Sequence, residues 1–497
     1  MVKQVNEIRE KINLYVEAQL EEYTPPYIKS PKVIHDTILG TNIFYPHEIM
    51  VIDSPLLQRL RRISQVDVVP LVFPSGNHNR FEHSLGVAVI ADKLVQALKN
   101  RKSLPEHTDS DALLYHVRMA GILHDCGHGA FSHMSEDIHG SFPDIFEERC
   151  NNRDLYGDAK PHEMLSYLIV TSPALRTFFR DHVEPIYDIS FDLDLIGEMI
   201  IGHVSNSDKA FWVEIINGAF DADKLDYIQR DSHFTGIQMI LDLDRLFHTV
   251  DIIEIDGKQR LTIDFSGVST LEEIVFDKMM LVSTVYNHHK VRSAECLFKS
   301  IFDEIKEKEF SIHGRFFDSA ADFLYITDDD IYGMAKMSDI GKASNLARNL
   351  LNRNLPKRGL IISGRTIDSN RQNLQQIMSL NNEQITLLRE AIAEEANKQN
   401  PAITAKDVWV DLPKIPKFKE GSLWPIKTFA NGNSYIKLRD VFPVDDWTKA
   451  FSENKWQGYV FTWAEFTDEV NQAAQSVIAS AFDIHFNSYA RSICKIT

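Results

Sequence analysis

Histidine and aspartate side chains are concentrated in one short stretch, LHDCGHG at residues 123–129. The apolar run 119–123 leads into it and predicts a buried helix that carries these polar groups into apolar surroundings. On a helix, His124 and His128 would share one face because they are four residues apart. A buried, unpaired carboxylate is costly, so Asp125 needs a partner, and a divalent metal would satisfy histidine and aspartate together. The alternative is a set of histidines held by hydrogen bonds in an ordinary core.

A further histidine, His133, follows within two turns, and glycines at 127 and 129 permit close approach of a ligand or of another backbone. Upstream, Arg80 and His83 are three residues apart and share one face of a predicted helix over 80–98. A lone histidine there would usually be structural. Next to an arginine, on a helix entered from a glycine-bearing loop, it becomes a candidate ligand.

Downstream, the stretch DADKLDYIQRD contains carboxylates at helical spacing. Asp223, Tyr227 and Asp231 would line one helix face at i, i+4 and i+8, with Lys224 beside them. A solvated charged face is the common explanation for such a run. The mixture of carboxylates with aromatic and cationic side chains favours instead a site that holds a metal and a phosphorylated sugar.

The elements that would position these residues are mainly helical. Helices are predicted over 5–23, 53–63, 80–98, 161–179, 193–215, 270–308, 335–353, 370–398 and 464–492, and a β-hairpin over 253–263. Strands are predicted at 408–410 and 459–461, residues 32–52 as irregular to extended, and 135–160 as an inserted polar segment. We therefore expect a mainly α protein, with an N-terminal helix in 1–30, a core over 31–320 with small β elements, and a C-terminal α+β region over 321–497.

Composition narrows the class of protein. The 497 residues carry a formal net charge of −18, which disfavours nucleic acid as the main partner without excluding it. No apolar run approaches the roughly 18 residues of a membrane span, and the charged N-terminus lacks the apolar core of a signal peptide. The four cysteines are scattered, without a CxxC pair, which predicts a reducing, cytoplasmic location and no thiolate metal site.

Three motifs together resemble those of a known family. FPSGNHNRFEHSLGV, LHDCGHGAFSHM and DADKLDYIQRD are similar to the HD superfamily of metal-dependent phosphohydrolases, and more closely to its deoxynucleoside triphosphate (dNTP) triphosphohydrolases, over about residues 30–300. The resemblance implies an HD-domain, all-helical core. It also implies attack of metal-activated water on the α-phosphorus of a dNTP, which yields a deoxynucleoside and inorganic triphosphate. Members of the family form homo-oligomers from dimers to hexamers.

The resemblance assigns roles to individual residues. One divalent metal, whether Mn, Fe, Mg, Zn or Co, would be ligated by His83, His124, Asp125 and Asp223. The catalytic groups at the phosphates would be His128, His133 and His162, with Glu136 as a nearby acid. Phosphate contacts would come from Arg80, Lys224 and Lys290, and contacts to the deoxyribose from Gln65, Tyr227 and Asp231. His289 joins the substrate-binding set because it precedes Lys290 in a Tyr-x-His-Lys segment that is one residue longer here, at 286–290.

The chain departs from the family in its regulatory segments. Residues 36–40 read DTILG where family members often carry Asp-Pro-Ile-His-Gly, whereas Asp53, Gln58 and Arg61 match a second segment for a regulatory nucleotide. Two alternatives to the dNTPase remain. One is another HD activity, such as a nuclease, which the acidic charge disfavours, or a signalling-nucleotide hydrolase. The other is a non-catalytic nucleotide sensor, which would have no need of proton donors such as His128 and His133.

Overall fold

Helices dominate the polypeptide, and its β strands are short. The computed structural model describes residues 7–239, 241–337, 340–368, 371–414, 419–428, 434–492 and 494. The prediction of a mainly α protein with small β elements is confirmed.

The N-terminal half contributes the helices that carry most of the predicted site. They are α1 (Glu7–Leu20), α2 (Pro46–Ile52), α3 (Pro55–Gln58), α4 (Arg80–Arg101), α5 (Ser110–Leu123), α6 (His133–His139), α7 (Pro143–Asn151), α8 (Arg153–Tyr156), α9 (Pro161–Val170), α10 (Pro173–Phe178), α11 (Glu184–Tyr187), α12 (Leu193–Ile201), α13 (Ala210–Ile216), α14 (Ala222–Thr235) and α15 (Leu243–Thr249). The remaining helices are α16 (Val268–Leu281), α17 (His289–Lys308), α18 (Asp328–Gly333), α19 (Lys342–Leu351), α20 (Arg371–Met378), α21 (Asn382–Asn397), α22 (Lys419–Ser422), α23 (Val444–Lys455), α24 (Thr467–Phe482) and α25 (Ser488–Ser492).

The described strands form three small sheets. They are β1 (Lys32–Asp36), β2 (Gly40–Phe44), β3 (Val250–Ile255), β4 (Lys258–Asp264), β5 (Lys357–Ile362), β6 (Val408–Asp411), β7 (Pro425–Lys427), β8 (Tyr435–Lys437) and β9 (Gly458–Thr462). β1 and β2 form an antiparallel hairpin, and the second sheet has the order β3-β4-β7-β8, in which β4 and β7 are parallel. The third has the order β5-β9-β6 and is antiparallel throughout.

The described residues divide into two compact units, and neither is continuous in sequence. The first contains residues 7–278, 305–333 and 419–444, and the second contains 279–304, 334–414 and 445–494. In the second unit, β5, β6 and β9 pack with α21 and α24 around buried side chains, among them Leu360, Ile392, Val408, Val460 and Ala474. The boundaries predicted at residues 30 and 320 stay predictions.

Capping side chains fix the starts of the helices that carry the site in the first unit. The side chain of Asn79 accepts a hydrogen bond from Glu82 N at the start of α4, and Asp221 accepts one from Lys224 N at the start of α14. Gly236 ends α14 in the left-handed conformation, with φ +75°. Buried apolar residues of α4 and α5, such as Val87, Ile90, Val117 and Ile122, form the core beneath the site.

Several predicted elements were wrong in detail. α5 ends at Leu123, so His124 and His128 do not share a helix face; the chain turns there, with hydrogen bonds from Cys126 N to Leu123 O and from His128 N to Asp125 O. Arg59 stabilises this turn by donating to the carbonyl oxygens of Cys126 and His128.

Other predicted elements also differ from the structure in their type or their bounds. Residues 32–52 form the β1–β2 hairpin and then α2, and the helix expected over 53–63 is a single turn of α3 followed by a 3₁₀ helix, Arg59–Arg62. The segment 135–160 carries the short helices α6, α7 and α8, and the helical pattern over 270–308 is interrupted at Asn287 and His288. Helix α24 ends at Phe482, where Asp483 adopts a left-handed φ of 51°. The hairpin at 253–263 and the strands at 408–410 and 459–461 are confirmed.

Gly127 allows α9 to pack directly against the turn that follows α5. A Cβ atom at this position would collide with the backbone of His162 and Ser166, and Gly127 N donates to Ser166 Oγ over 2.9 Å. We therefore expect Gly127→Ala to lower the free energy of unfolding by about 1–3 kcal/mol, the usual cost of overpacking. Thermal or urea unfolding would measure this loss.

The matched control is Gly333→Ala, because a Cβ at Gly333 meets no atom within 4 Å. Equal stability of Gly127→Ala and the parent protein would show that α9 does not need this close approach.

Candidate active site

His83 lies at the centre of the site, fully buried on α4. Its Nδ1 donates to Asp226 Oδ2 over 2.8 Å, and its Nε2 lies 3.0 Å from Asp223 Oδ1. Although burial disfavours the charged imidazolium, hydrogen bonds to Asp223 and Asp226 raise the pKa of His83 to about 10. The pocket around Nε2 therefore favours a positive charge.

Asp226 is itself held by a buried arginine. Arg230 donates to both carboxylate oxygens of Asp226, from Nε over 2.8 Å and from Nη2 over 2.9 Å, and its Nη1 donates to Asp36 Oδ2 over 2.9 Å. Asp226 fixes the tautomer and ring orientation of His83, an arrangement common behind histidines that ligate metals.

His124 presents an unsatisfied nitrogen to the same place. Its Nδ1 donates to Gly121 O over 2.8 Å, and its buried Nε2 has no hydrogen-bond partner among the described residues. The donor atoms of His83, His124 and Asp223 all lie within 4.8 Å of one another. Because a buried, unpaired nitrogen is costly, this donor set fits a divalent metal.

Asp125 adjoins this group and links it to neighbouring residues. Its Oδ2 accepts from Arg80 Nη1 over 2.7 Å and lies 3.7 Å from His83 Nε2, while its Oδ1 lies 3.3 Å from His124 Nε2 and 3.4 Å from His128 Nε2. Although burial favours the protonated form, the charge of Arg80, with contributions from the neighbouring imidazoles, holds the pKa of Asp125 well below its usual range. A permanently ionised Asp125 suits the fourth ligand position.

A second cluster joins three imidazoles through one carboxylate. The donor atoms of His128, His133 and His162 lie within 4.8 Å of one another, and the rings of His128 and His162 stack with centroids 3.9 Å apart. Glu136 Oε2 lies 3.1 Å from His133 Nδ1, and Glu136 Oε1 lies 2.9 Å from His162 Nδ1. Despite burial, the histidines hold the pKa of Glu136 well below its usual value, so its carboxylate accepts both Nδ1–H bonds.

The third imidazole of this cluster is that of His128. Burial, together with the charges of Arg80 and His162, holds the pKa of His128 well below its ordinary value. His128 is therefore neutral near pH 7. Burial also lowers the pKa of His133, although its hydrogen bond to Glu136 opposes this effect.

The residues predicted to bind substrate are placed in several environments. Arg80 is buried and also donates to Ser132 Oγ over 2.8 Å, and Lys224 Nζ donates to Asp221 Oδ2 over 2.6 Å and Gly218 O over 2.9 Å. Gln65 is buried, and its Oε1 is without a hydrogen-bond partner in the described chain. Tyr227 and Asp231 lie on α14, and Asp231 Oδ1 accepts from the buried His78 over 2.9 Å.

Two predicted substrate residues belong to the second compact unit. Burial and the charge of Arg358 lower the pKa of His289 to about 3, while burial and the charge of Lys357 lower the pKa of Lys290 to about 8. Within that unit they therefore belong to a basic cluster. Their role in substrate binding stays a prediction.

The predicted regulatory residues make local contacts within the first unit. Asp53 Oδ2 accepts from Lys32 Nζ over 3.1 Å, and Arg61 Nε donates to Gln58 Oε1 over 2.8 Å. The guanidinium of Arg61 also lies 3.7 Å from the ring centroid of Phe81.

Sequence reasoning missed the residues that orient the ligands. Asp226 follows Asp223 by three residues, and helical spacing from Asp223 could have placed it beside the site. Arg230 carries a comparable signal, at i+4 from Asp226. Ser132, which bonds Arg80 across the fold, carries no comparable local pattern.

Two known families match parts of this chain. The family described as HD domain matches residues 80–231, and the family described as HD associated region matches residues 241–483. The first match contains all four proposed metal ligands and the three imidazoles of the second cluster.

Relatives among known proteins cover different shares of the chain. An uncharacterized protein of Methanocaldococcus jannaschii is 27% identical over 448 residues, 89% of this chain and 81% of that protein. The deoxynucleoside triphosphate triphosphohydrolase SAMHD1 homolog of Dictyostelium discoideum is 29% identical over 335 residues, 66% of this chain and 60% of that protein. The deoxynucleoside triphosphate triphosphohydrolase SAMHD1 of Homo sapiens is 30% identical over 297 residues, 56% of this chain and 45% of that protein. The chain thus spans about half the length of these two triphosphohydrolases.

The chain thus contains an HD domain at residues 80–231, followed by an HD associated region at 241–483. Its predicted resemblance to the dNTP triphosphohydrolases is confirmed by the two relatives of that name. Among the described residues we find no helix that combines the length and the apolar character of a membrane span.

The hydrogen bond from His83 to Asp226 generates a prediction about metal affinity. Asp226→Asn removes the negative charge behind His83, and we expect metal affinity to fall by about 10–100-fold, as is typical when a residue behind a metal ligand is changed. Calorimetric titration of the metal-stripped protein would measure this change. Asp208→Asn, at an exposed aspartate on the same domain, is the control; equal affinities of the two variants would contradict the role given to Asp226.

Proposed function

We propose that this protein hydrolyses dNTPs to a deoxynucleoside and inorganic triphosphate, with one divalent metal at each site. The observation that carries the proposal is the convergence of the His83, His124 and Asp223 donor atoms within 4.8 Å, next to three imidazoles with an equally close set of donor atoms. Asp125 connects the two clusters, because it lies 3.3 Å from His124 Nε2 and 3.4 Å from His128 Nε2. The names of the triphosphohydrolase relatives support this choice of substrate.

The metal would be held by His83, His124, Asp125 and Asp223. When bound, a divalent metal lowers the pKa of a coordinated water and polarises a phosphoryl oxygen. Histidine and carboxylate ligands are compatible with Mn, Fe, Mg, Zn or Co, so the donor set does not select one of them.

Arg80 keeps Asp125 ionised and in place. Its guanidinium donates to Asp125 Oδ2 over 2.7 Å and lies 3.4 Å from His133 Nε2. The same positive charge, buried between the two clusters, would stabilise negative charge that develops on the phosphoryl oxygens during hydrolysis.

Glu136 prepares His133 and His162 for proton transfer. Because the Glu136 carboxylate accepts from Nδ1 of both rings, each Nε2 is left for other partners. A second proton on either ring would be stabilised by Glu136, and that Nε2–H could then protonate the 5′-oxygen as it leaves. His128, kept neutral, would contribute as a hydrogen-bonding group at the phosphates.

A product assay tests the reaction. We expect the purified protein, given each dNTP with Mn²⁺ or Mg²⁺, to release deoxynucleoside and triphosphate, which anion-exchange chromatography separates from other products. His124→Ala and Asp125→Ala should lose both bound metal and turnover, because each removes a ligand. The control is His35→Ala, at an exposed histidine of β1 with a hydrogen bond to Thr41.

Other products would contradict the proposal in identifiable ways. Monophosphate and pyrophosphate would indicate attack at a different bond. Degradation of labelled single-stranded DNA or RNA by the parent protein, but not by Asp125→Ala, would indicate a nuclease. Tight dNTP binding without turnover under every metal would indicate a sensor.

The Glu136 contacts lead to a separate kinetic prediction. Glu136→Gln removes the carboxylate that stabilises a protonated His133 or His162, so we expect kcat to fall by about 10²-fold, in the range of lost acid–base catalysis, with metal content unchanged. The control is Asp137→Asn, because Asp137 is the exposed acid that directly follows Glu136. Loss of metal from Glu136→Gln, or an unchanged kcat, would argue against this role.

Activation and assembly are further proposals. We propose that Asp53, Gln58 and Arg61 contribute to a regulatory nucleotide site and that the protein forms homo-oligomers. The support is the match of these three positions to the family's second regulatory segment.

A further inference from the structure

The loop between His128 and His133 has an unusual backbone. Phe131 and Ser132 follow one another with φ of 51° and 46°, in the left-handed region that side chains other than glycine rarely adopt. Both are buried. Such a conformation persists only when the surroundings impose it, and it is concentrated at functional sites. The position of His133 therefore depends on what holds Phe131 and Ser132.

One carboxylate, distant in sequence, contacts this loop. Asp328, the first residue of α18, accepts from Phe131 N with Oδ1 over 2.6 Å and from Ser64 N with Oδ2 over 2.8 Å. Tyr332 of the same helix packs edge-on against the Phe131 ring, with centroids 5.3 Å apart. Asp328 thus joins two backbone segments that are also linked by a hydrogen bond from Ser132 Oγ to Ser64 O.

Both segments lead directly to the site. Ser132 Oγ donates to Ser64 O and accepts from Arg80 Nε over 2.8 Å, and Gln65 O accepts from Arg80 Nη2 over 3.4 Å. The two peptide groups fixed by Asp328 therefore adjoin the residues that orient Arg80.

We propose that Asp328 is a positioning residue for phosphate hydrolysis, which sets His133 and Arg80 in register by tying the Phe131 and Ser64 amides together; the proposal rests on the proposed function. Asp328 lies outside residues 80–231 of the HD domain and inside the HD associated region. The associated region thereby supplies a group that the site requires.

The electrostatic cost of this carboxylate agrees with a functional role. Burial raises the pKa of Asp328 to about 7, with a further increase from Asp329 and an opposing effect of Arg59, while the two amides favour the ionised form. At pH 8 the folded protein must therefore ionise a group whose pKa lies above its unfolded value, which lowers stability there. Asparagine would avoid this cost but would lose one of the two hydrogen bonds, because its NH2 group cannot accept from a backbone amide; we therefore expect Asp328→Asn to unfold close to the melting temperature of the parent protein.

The test compares full-length Asp328→Asn and Asp328→Ala with Asp329→Asn. Asp329 is the matched control because it is the adjacent acid, is 67% exposed and pairs only at 3.4 Å with the exposed Arg62. We expect Asp328→Asn to lower kcat at pH 8 by at least about tenfold with little change in KM, since small displacements of catalytic groups are costly. Asp328→Ala should lose more, because asparagine retains one acceptor oxygen, and metal content should be unchanged in all three.

Hydrogen exchange separates this proposal from the proposed function. In Asp328→Asn we expect faster exchange in the peptide over 128–135 and unchanged exchange in the peptide over 84–98, whether or not the protein turns over dNTPs. Parent-like exchange over 128–135 would overturn the positioning role even if the enzyme is active. A loss of melting temperature and metal content that parallels the loss of kcat would also overturn it, because Asp328 would then be merely structural. Absence of triphosphate release by the parent protein would refute the proposed function alone.

Discussion

The burial of several carboxylates in one small volume is the constraint on which this structure depends. Asp125 and Asp226 are almost fully buried, and Asp223 lies beside them. Each buried negative charge needs a cation or hydrogen-bond donors, because an uncompensated charge in the interior is far more costly than a neutral polar group. Arg80 compensates Asp125 and Arg230 compensates Asp226, while Asp223 lies 3.0 Å from His83 Nε2 and 3.9 Å from His124 Nε2. A divalent metal in place of the proton on His83 Nε2, as proposed above, would use Asp223 and the unsatisfied Nε2 of His124 as further ligands.

Three elements of the first unit bring these charged groups together. α4 contributes Arg80 and His83, the turn after α5 contributes His124 and Asp125, and α14 contributes Asp223 and Asp226. These elements must approach closely, and Gly86 on α4 makes this possible because a Cβ there would collide with the Asp226 and Arg230 side chains. Gly127 has the same effect for α9, which carries His162. Gly86 and Gly127 are thus needed where the elements that carry the site residues pack closest together.

Sequence reasoning found the residues whose spacing is local and missed those whose partners are remote. His83 and Asp223 could be predicted because each lies on a helix with periodic polar neighbours. The shared helical face of His124 and His128 was wrong because α5 ends one residue before His124, and a turn stabilised by Arg59, 65 residues upstream of His124, takes over. Asp328 has no pattern that points to the site, since its two hydrogen bonds reach residues 197 and 264 positions away. Such contacts depend on tertiary packing, which cannot be read from a short stretch of sequence.

A continuous set of hydrogen bonds also joins the N-terminal hairpin to His83, the candidate metal ligand. Asp36, at the end of β1, accepts from Ile38 N and Leu39 N with Oδ1 and from Arg230 with Oδ2; Arg230 holds Asp226, and Asp226 holds His83. The Asp36 side chain thus braces the turn 36–40 and neutralises part of the Arg230 charge at the same time. A different conformation of that turn would leave the fully buried Arg230 with an unpaired donor. The loss of this hydrogen bond would disturb Arg230 and, through it, the Asp226 carboxylate that orients His83. The segment 36–40, which departs from the family's regulatory motif, is therefore connected through Arg230 and Asp226 to the candidate metal ligand His83.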